Sequence, residues 1–365
     1  MYSMMTFFVF ISLSGNAQSL SKKIVWDKKE NGIFAHFVYG LTVTSKGTIL
    51  AMAEARITDG KDDGAHHLVL KRSIDKGKSF SASQTVVESN QGESWTNPTL
   101  LQDGKTKEIF LFYALNHQNN RTQVFYKTSM DDGLTWSAAT ELTSLFADNE
   151  HDWTFHLPGP GHGIQLKGGR LIVQVWHRKA ISNAAPDRRY GVNCLYSDDH
   201  GKTWQVGGDS PIGEMNESQL VERENGDVLL IGRMLTQNSG SFQAKILSAD
   251  NGENWTQQVA HDTALRGAVC DVGLVSFGLK SGIMIVSQPA DLKKRKALTI
   301  RMSSDEGKTW QHARLLQEGG ATYSDLSVLP DKTIICLYGH GGTQHMPEQV
   351  SFARFDLKWI QQKAE

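Results

Sequence analysis

An excess of charge of either sign is missing from this chain. Its 365 residues carry 38 lysines and arginines against 39 aspartates and glutamates, a net charge of −1. That balance leaves no electrostatic footprint for nucleic acid or an anionic lipid surface. Cysteine is scarce: Cys194, Cys270 and Cys336 are an odd number without metal-type spacing, and all three read as core thiols. Proline is limited to 8 residues, and no Pro- or Ser-rich linker divides the chain. One domain without an appended binding module is therefore expected. No stretch repeats apolar residues at helical spacing, which excludes a helical architecture. The apolar run Phe7-Phe8-Val9-Phe10-Ile11-Ser12-Leu13 is far shorter than the ~20 residues of a membrane span. With Gly15-Asn16-Ala17 behind it, residues 1–17 read as a secretory signal, although Met1–Thr6 has no Lys or Arg. Cleavage after Ala17 leaves a mature domain of residues 18–365, exported to the periplasm or the medium.

What the chain does contain is short strand patterns beside tight turns. Thr48–Ala53, Ile109–Tyr113, Leu171–Val175, Val228–Ile231 and Thr333–Leu337 each follow a Gly- or Asn-rich turn. Among them one pattern, Ser-x-Asp-x-Gly-x-x-aromatic, returns five times: Ser73 to Phe80, Ser129 to Trp136, Ser197 to Trp204, Ser248 to Trp255 and Ser303 to Trp310. Ser and Asp side chains bond to nearby amides and fix a turn, Gly takes a left-handed angle, and the aromatic packs under the hairpin it ends. A unit returning at this spacing marks a propeller or another repeat array. Five copies fit six blades if one blade lacks the device. Val350–Leu357 reads as a closing strand, in a blade that also receives N-terminal chain.

The repeat is the Asp box, and through it the chain resembles the sialidase family from about Ile33 to Ile360. The resemblance implies an all-β, six-bladed β-propeller. Such a repeat argues fold rather than chemistry, so the site rests on four further segments.

Ala53-Glu54-Ala55-Arg56, followed by Asp59-Gly60-Lys61-Asp62-Asp63-Gly64, resembles the family stretch that carries the general acid/base. It implies Asp62 as that acid and Arg56 as a sugar-contacting cation, with Asp59 and Asp63 as competitors. On its residues alone the loop reads equally as a solvated acidic turn. Asn216-Glu217-Ser218 resembles the segment whose Glu pairs with the nucleophile, and Ala321-Thr322-Tyr323-Ser324 the segment that supplies a nucleophilic Tyr. A phenol suits a sugar whose anomeric carbon bears a carboxylate, because it is neutral before attack. With an ordinary pKa of about 10 it needs a base beside it. Sialidases are already known as the exception that uses Tyr in place of a second carboxylate. Arg233 and Arg295 fit two family arginines that clasp the substrate carboxylate, with Arg301 competing for the second place.

The first family arginine is absent. Phe37 stands in its place within His36-Phe37-Val38-Tyr39-Gly40-Leu41. The glutamate that would back it is Gly339, after Leu337-Tyr338. Loss of both together avoids stranding a buried charge, which would cost roughly 3–5 kcal/mol. His36, His340 and Tyr39 are candidate replacements. Five further histidines, His66, His67, His151, His156 and His162, form no metal motif.

These residues imply an exo-α-sialidase that releases a terminal sugar with retention, needing no cofactor or metal and acting on sialylated or other acidic-sugar glycans. A hydrolase for another 2-keto-3-deoxy sugar acid, an intramolecular trans-glycosidase, and a non-catalytic sugar-binding propeller stand as alternatives.

Overall fold

The computed structural model describes residues 20–28, 30–180, 190–211, 213, 215–235, 241–342 and 345–362. The expected signal segment, 1–17, lies outside them. Four hydrogen-bonded sheets divide into six antiparallel four-stranded blades. The first blade runs through Ala35–Val43, Ile49–Arg56, His66–Ser73 and Gln84–Val87, and the second through Ser94–Gln102, Ile109–His117, Arg121–Ser129 and Thr140–Glu141. In the third, Phe155–Pro158 precedes Leu171–Arg178, Tyr190–Ser197 and Gln205–Val206; the fourth takes Met215–Glu222, Val228–Met234, Ser241–Ser248 and Ala260–Gly267. Gly273–Ser276, Met284–Pro289, Lys296–Ser303 and the first part of the long strand His312–Val328 make the fifth. The rest of that strand opens the sixth, with Ile334–His340, Gln349–Phe355 and, from the other end of the chain, Ser21–Asp27.

Each Asp box is the turn from third to fourth strand. In the last copy Ser303 Oγ donates to Asp305 Oδ1 at 2.7 Å and accepts from Gly307 N at 2.8 Å. Asp305 in turn accepts from Thr309 N at 2.9 Å and Thr309 Oγ1 at 2.6 Å. Equivalent bonds hold the boxes at Ser73, Ser129, Ser197 and Ser248. In the sixth blade the third strand ends the sheet-forming chain and the fourth comes from the N-terminus. No turn joins them, so no box is needed there.

The closing aromatics correct one expectation. Phe80 meets Phe352 of the sixth blade at 5.1 Å, and Trp204 meets Phe112 of the second at 4.8 Å. They pack on the preceding blade rather than only beneath their own hairpin. The box glycines explain the fit: a Cβ at Gly77 would lie 2.2 Å from Phe352, at Gly201 2.2 Å from Phe110, and at Gly252 2.3 Å from Ile172. The box is thus a clip between blades. Around the axis the contacts are polar: Asp325 accepts from Leu41 N at 2.8 Å and pairs with His162 Nδ1 at 2.8 Å. Cys194, Cys270 and Cys336 are free and buried, as core thiols should be. No helix among the described residues is long and apolar enough to cross a membrane.

Candidate active site

At one mouth of the ring the innermost strands break register. Shifts fall between Phe37 and Tyr39, Thr96 and Thr99, Met215 and Ser218, and Ala321 and Ser324. A bulge re-aims side chains that a regular strand would send to one face or the other. Here the bulges turn Phe37, Val38, Asn97, Asn216, Glu217 and Tyr323 into one cavity of about 490 Å³. The cost is visible at Val38, a β-branched residue held at φ 52°.

Glu217 and Tyr323 meet on its floor. Tyr323 Oη lies 2.6 Å from both Glu217 oxygens, and its ring is only 5% exposed. Arg233 Nη1 donates to Tyr323 Oη at 2.7 Å and bonds to Glu217 Oε2. Burial pushes the phenol well above its ordinary value, Arg233 and Arg295 oppose that, and Glu217 adds to it. The resting Tyr323 is therefore a neutral phenol donating to a carboxylate. Arg295 places its guanidinium 5.2 Å from the Tyr323 ring and donates through Nε to Val269 O at 3.1 Å. It has no carboxylate within ion-pair distance among the described residues. Arg301 does not reach the cavity.

The acid loop forms the opposite wall. Glu54 and Arg56 are almost fully buried, and Glu54 Oε2 accepts from Arg56 Nε at 3.1 Å and Nη2 at 2.9 Å. Nη2 also holds Asp62 Oδ1 at 2.9 Å, and Nη1 donates to Gly60 O at 2.6 Å. Arg56, expected as a sugar contact, lines the cavity and gives its donors to Glu54 on its own strand and to Asp62 and Gly60 on the loop. Asp62 keeps 76% of its side chain exposed. Its carbonyl is tied to the second blade by Ser94 Oγ at 3.0 Å and Asn116 Nδ2 at 2.8 Å. Asp62 lines the cavity, whereas Asp59 turns back to Lys61 N at 3.1 Å.

The histidines are scaffolding. His66 Nε2 lies 2.9 Å from Lys61 O and props the acid loop; His67 Nδ1 accepts from Ser89 N at 2.9 Å. His156 and His177 pair at 2.8 Å, and His151 rests against Trp153 at 4.6 Å. No group of metal-binding side chains occurs among the described residues.

The departure around Phe37 is a coherent repacking. Its ring sits 4.7 Å from that of Tyr323 and 4.9 Å beneath the Arg56 guanidinium. A Cβ at Gly339 would lie 2.3 Å from Tyr39 Oη and 2.4 Å from Thr322 Oγ1, so a longer side chain there has no room. Of the proposed substitutes for the lost arginine, Tyr39 is buried and bonds to His36 O at 3.2 Å, and His36 stacks on Trp26 at 5.4 Å. His340 bonds to Ser351 Oγ at 2.8 Å. None of the three lines the cavity. His345 and Arg178 do, and neither was anticipated.

Residues 47–337 match a family described as a BNR repeat-like domain. A sialidase of Micromonospora viridifaciens is 29% identical over 345 residues, covering 88% of this chain and 51% of its own. One of Bacteroides fragilis is 30% identical over 344 residues, covering 85% and 60%. The chain thus spans between half and two thirds of the length of these relatives. Among solved structures, the Hadza microbial sialidase Hz136 superposes with a TM-score of 0.79 at 26% identity, covering 90% of this chain and 67% of that one. The intramolecular trans-sialidase of Ruminococcus gnavus shares the fold, with a TM-score of 0.77 at 17% identity over 94% of this chain and 98% of that one.

Proposed function

We propose that this chain, which belongs to the sialidase family through its BNR repeat-like domain, is a retaining exo-α-sialidase acting on exported or extracellular glycans. The observation that carries the reading is the Tyr323–Glu217 contact at 2.6 Å inside a cavity that also holds Asp62, Arg233 and Arg295. A buried phenol bonded to both oxygens of one carboxylate is poised to lose its proton only as it attacks.

In the first step Tyr323 Oη bonds to the anomeric carbon while its proton passes to Glu217. The bond to the leaving oxygen breaks, and that oxygen takes a proton from Asp62. In the second step Asp62 accepts a proton from water, whose oxygen displaces Tyr323, and the phenol recovers its proton from Glu217. Two inversions give net retention. Arg295, with no carboxylate of its own, and Arg233 receive the substrate carboxylate. Arg56 holds the acid loop at the reacting oxygen.

The apolar Phe37 beneath this site favours a second substrate in the same class, a different 2-keto-3-deoxy sugar acid whose carboxylate is held by two arginines. Residues 1–17 fit the same picture as an export signal. The test is hydrolysis of an aryl α-sialoside followed by NMR of the first-formed sugar. Release of the α-anomer, abolished in Tyr323→Phe, supports the mechanism. Release of the β-anomer, or undiminished turnover in that variant, overturns it.

A further inference from the structure

Four arginines line the cavity, and they differ in what neutralises them. Arg56 is bound to Glu54 and Asp62, and Arg233 to Glu217. Among the described residues Arg295 has no carboxylate partner, as expected of the group that receives the substrate's own carboxylate. Among the same residues Arg178 has none either, and the mechanism above leaves it unused.

Arg178 ends the second strand of the third blade, three blades around the ring from Tyr323. It is 5% exposed. Its Nη1 donates to Asn119 O and Lys179 O, both at 3.0 Å, and its guanidinium carbon sits 3.6 Å from the centre of the Phe155 ring. No carboxylate of the described residues lies within ion-pair distance. Burial lowers its pKa to about 10, only partly offset by Tyr190 and Asp62; Arg56, more deeply buried, is held above the usual value by Glu54 and Asp62. A desolvated cation facing a cavity with no ion-paired carboxylate among the described residues is costly in the empty protein, and a ligand anion relieves that cost.

We infer that Arg178 binds a second oxyanion on the sugar, at the end remote from the anomeric carboxylate, so that this site selects dianionic sugar acids. The inference rests on the sialidase-type reading: the anomeric end is fixed by Tyr323 and Arg295, and the far end of the ring then points across the cavity to the third blade. Asn119, which also lines the cavity and is held by Asn116, offers its Nδ2 to the hydroxyls between the two charges. A carboxylate or a sulfate ester would present the same oxygens to the guanidinium.

The experiment is calorimetric binding to the Tyr323→Phe protein, which retains the cavity without turnover. Three ligands are compared: 2,3-dehydro sialic acid, the same compound with its tail trimmed and oxidised to a terminal carboxylate, and the same compound sulfated at its terminal hydroxyl. At least one tail-charged ligand is expected to bind about 10- to 100-fold more tightly than the parent, and the one that gains identifies the oxyanion. Arg178→Met should erase the gain, and Arg178→Lys should keep part of it. Equal or weaker binding of both charged ligands, or a gain that survives in Arg178→Met, overturns the inference and leaves the sialidase reading intact. Binding of none of the three overturns the sugar-acid reading and this inference with it. Melting curves confirm that each variant is folded, and Arg178→Lys carries the test if Arg178→Met is not.

Discussion

In the proposed mechanism Tyr323 acts as a nucleophile only in company. Burial keeps its phenol protonated far above neutral pH, so solvent does not ionise it, and the proton must leave to a group already in contact. Glu217 and Arg233 are the groups in contact with it, and in the proposed step the proton passes to Glu217 while Arg233 steadies the moving charge. Glu217→Gln keeps the shape and removes the base. It should lower kcat by about 10²- to 10⁴-fold with little change in KM, measured on an aryl sialoside. A kcat within a few-fold of the parent would mean that Tyr323 finds its base elsewhere. At this scale the sequence was uneven. Asp62, Glu217, Tyr323, Arg233 and Arg295 were legible because each sits in a short family-like stretch, and all five line the cavity. Phe37 and Gly339 were legible as departures, but the repacking of Tyr39 into the room beside Gly339 was not, since it depends on chain 300 residues away. Arg178 carries no local signal: it looks like a strand-end cation, and it is packing against Phe155 and Asn119, distant in sequence, that buries it.

At the scale of the element, two small devices set the geometry. The Asp box clips each of the first five blades to the one before it, and a register shift turns the inner strands toward the cavity. Ser303, fully buried, carries three bonds of its box. Ser303→Ala leaves Gly307 N without a partner and should cost about 1–3 kcal/mol, read as a lower denaturant midpoint at unchanged slope. An unchanged midpoint would show that the box does not contribute to holding the fifth blade on the fourth. The boxes and most strands could be read from the sequence because their signals are local. The bulges could not: a β-branched Val38 is among the last residues expected at positive φ, and it is held there by the strands on either side.

For the whole molecule, closure is what makes a site from dispersed parts. Pairing of Ser21–Asp27 with Gln349–Phe355 seals the ring, and six blades then deliver Asp62, Asn97, Arg178, Glu217, Arg295 and Tyr323 to one cavity. The closing strand was readable from the sequence, whereas six blades were implied by the resemblance and not counted from the five repeats. The parts of the cavity wall that Arg178 and His345 supply were not legible, because they depend on which walls face each other across the axis. The central claim is that the phenol of Tyr323 forms a bond to the sugar. The most direct test is to inactivate the protein with a 2,3-difluoro sugar acid, which slows the second step, and to map the adduct by peptide mass spectrometry. The account predicts one sugar-acid mass increment on the peptide containing Tyr323, lost on reactivation. An increment on Asp62 or Glu217 instead, or turnover of an aryl sialoside with no adduct on any residue, would contradict it.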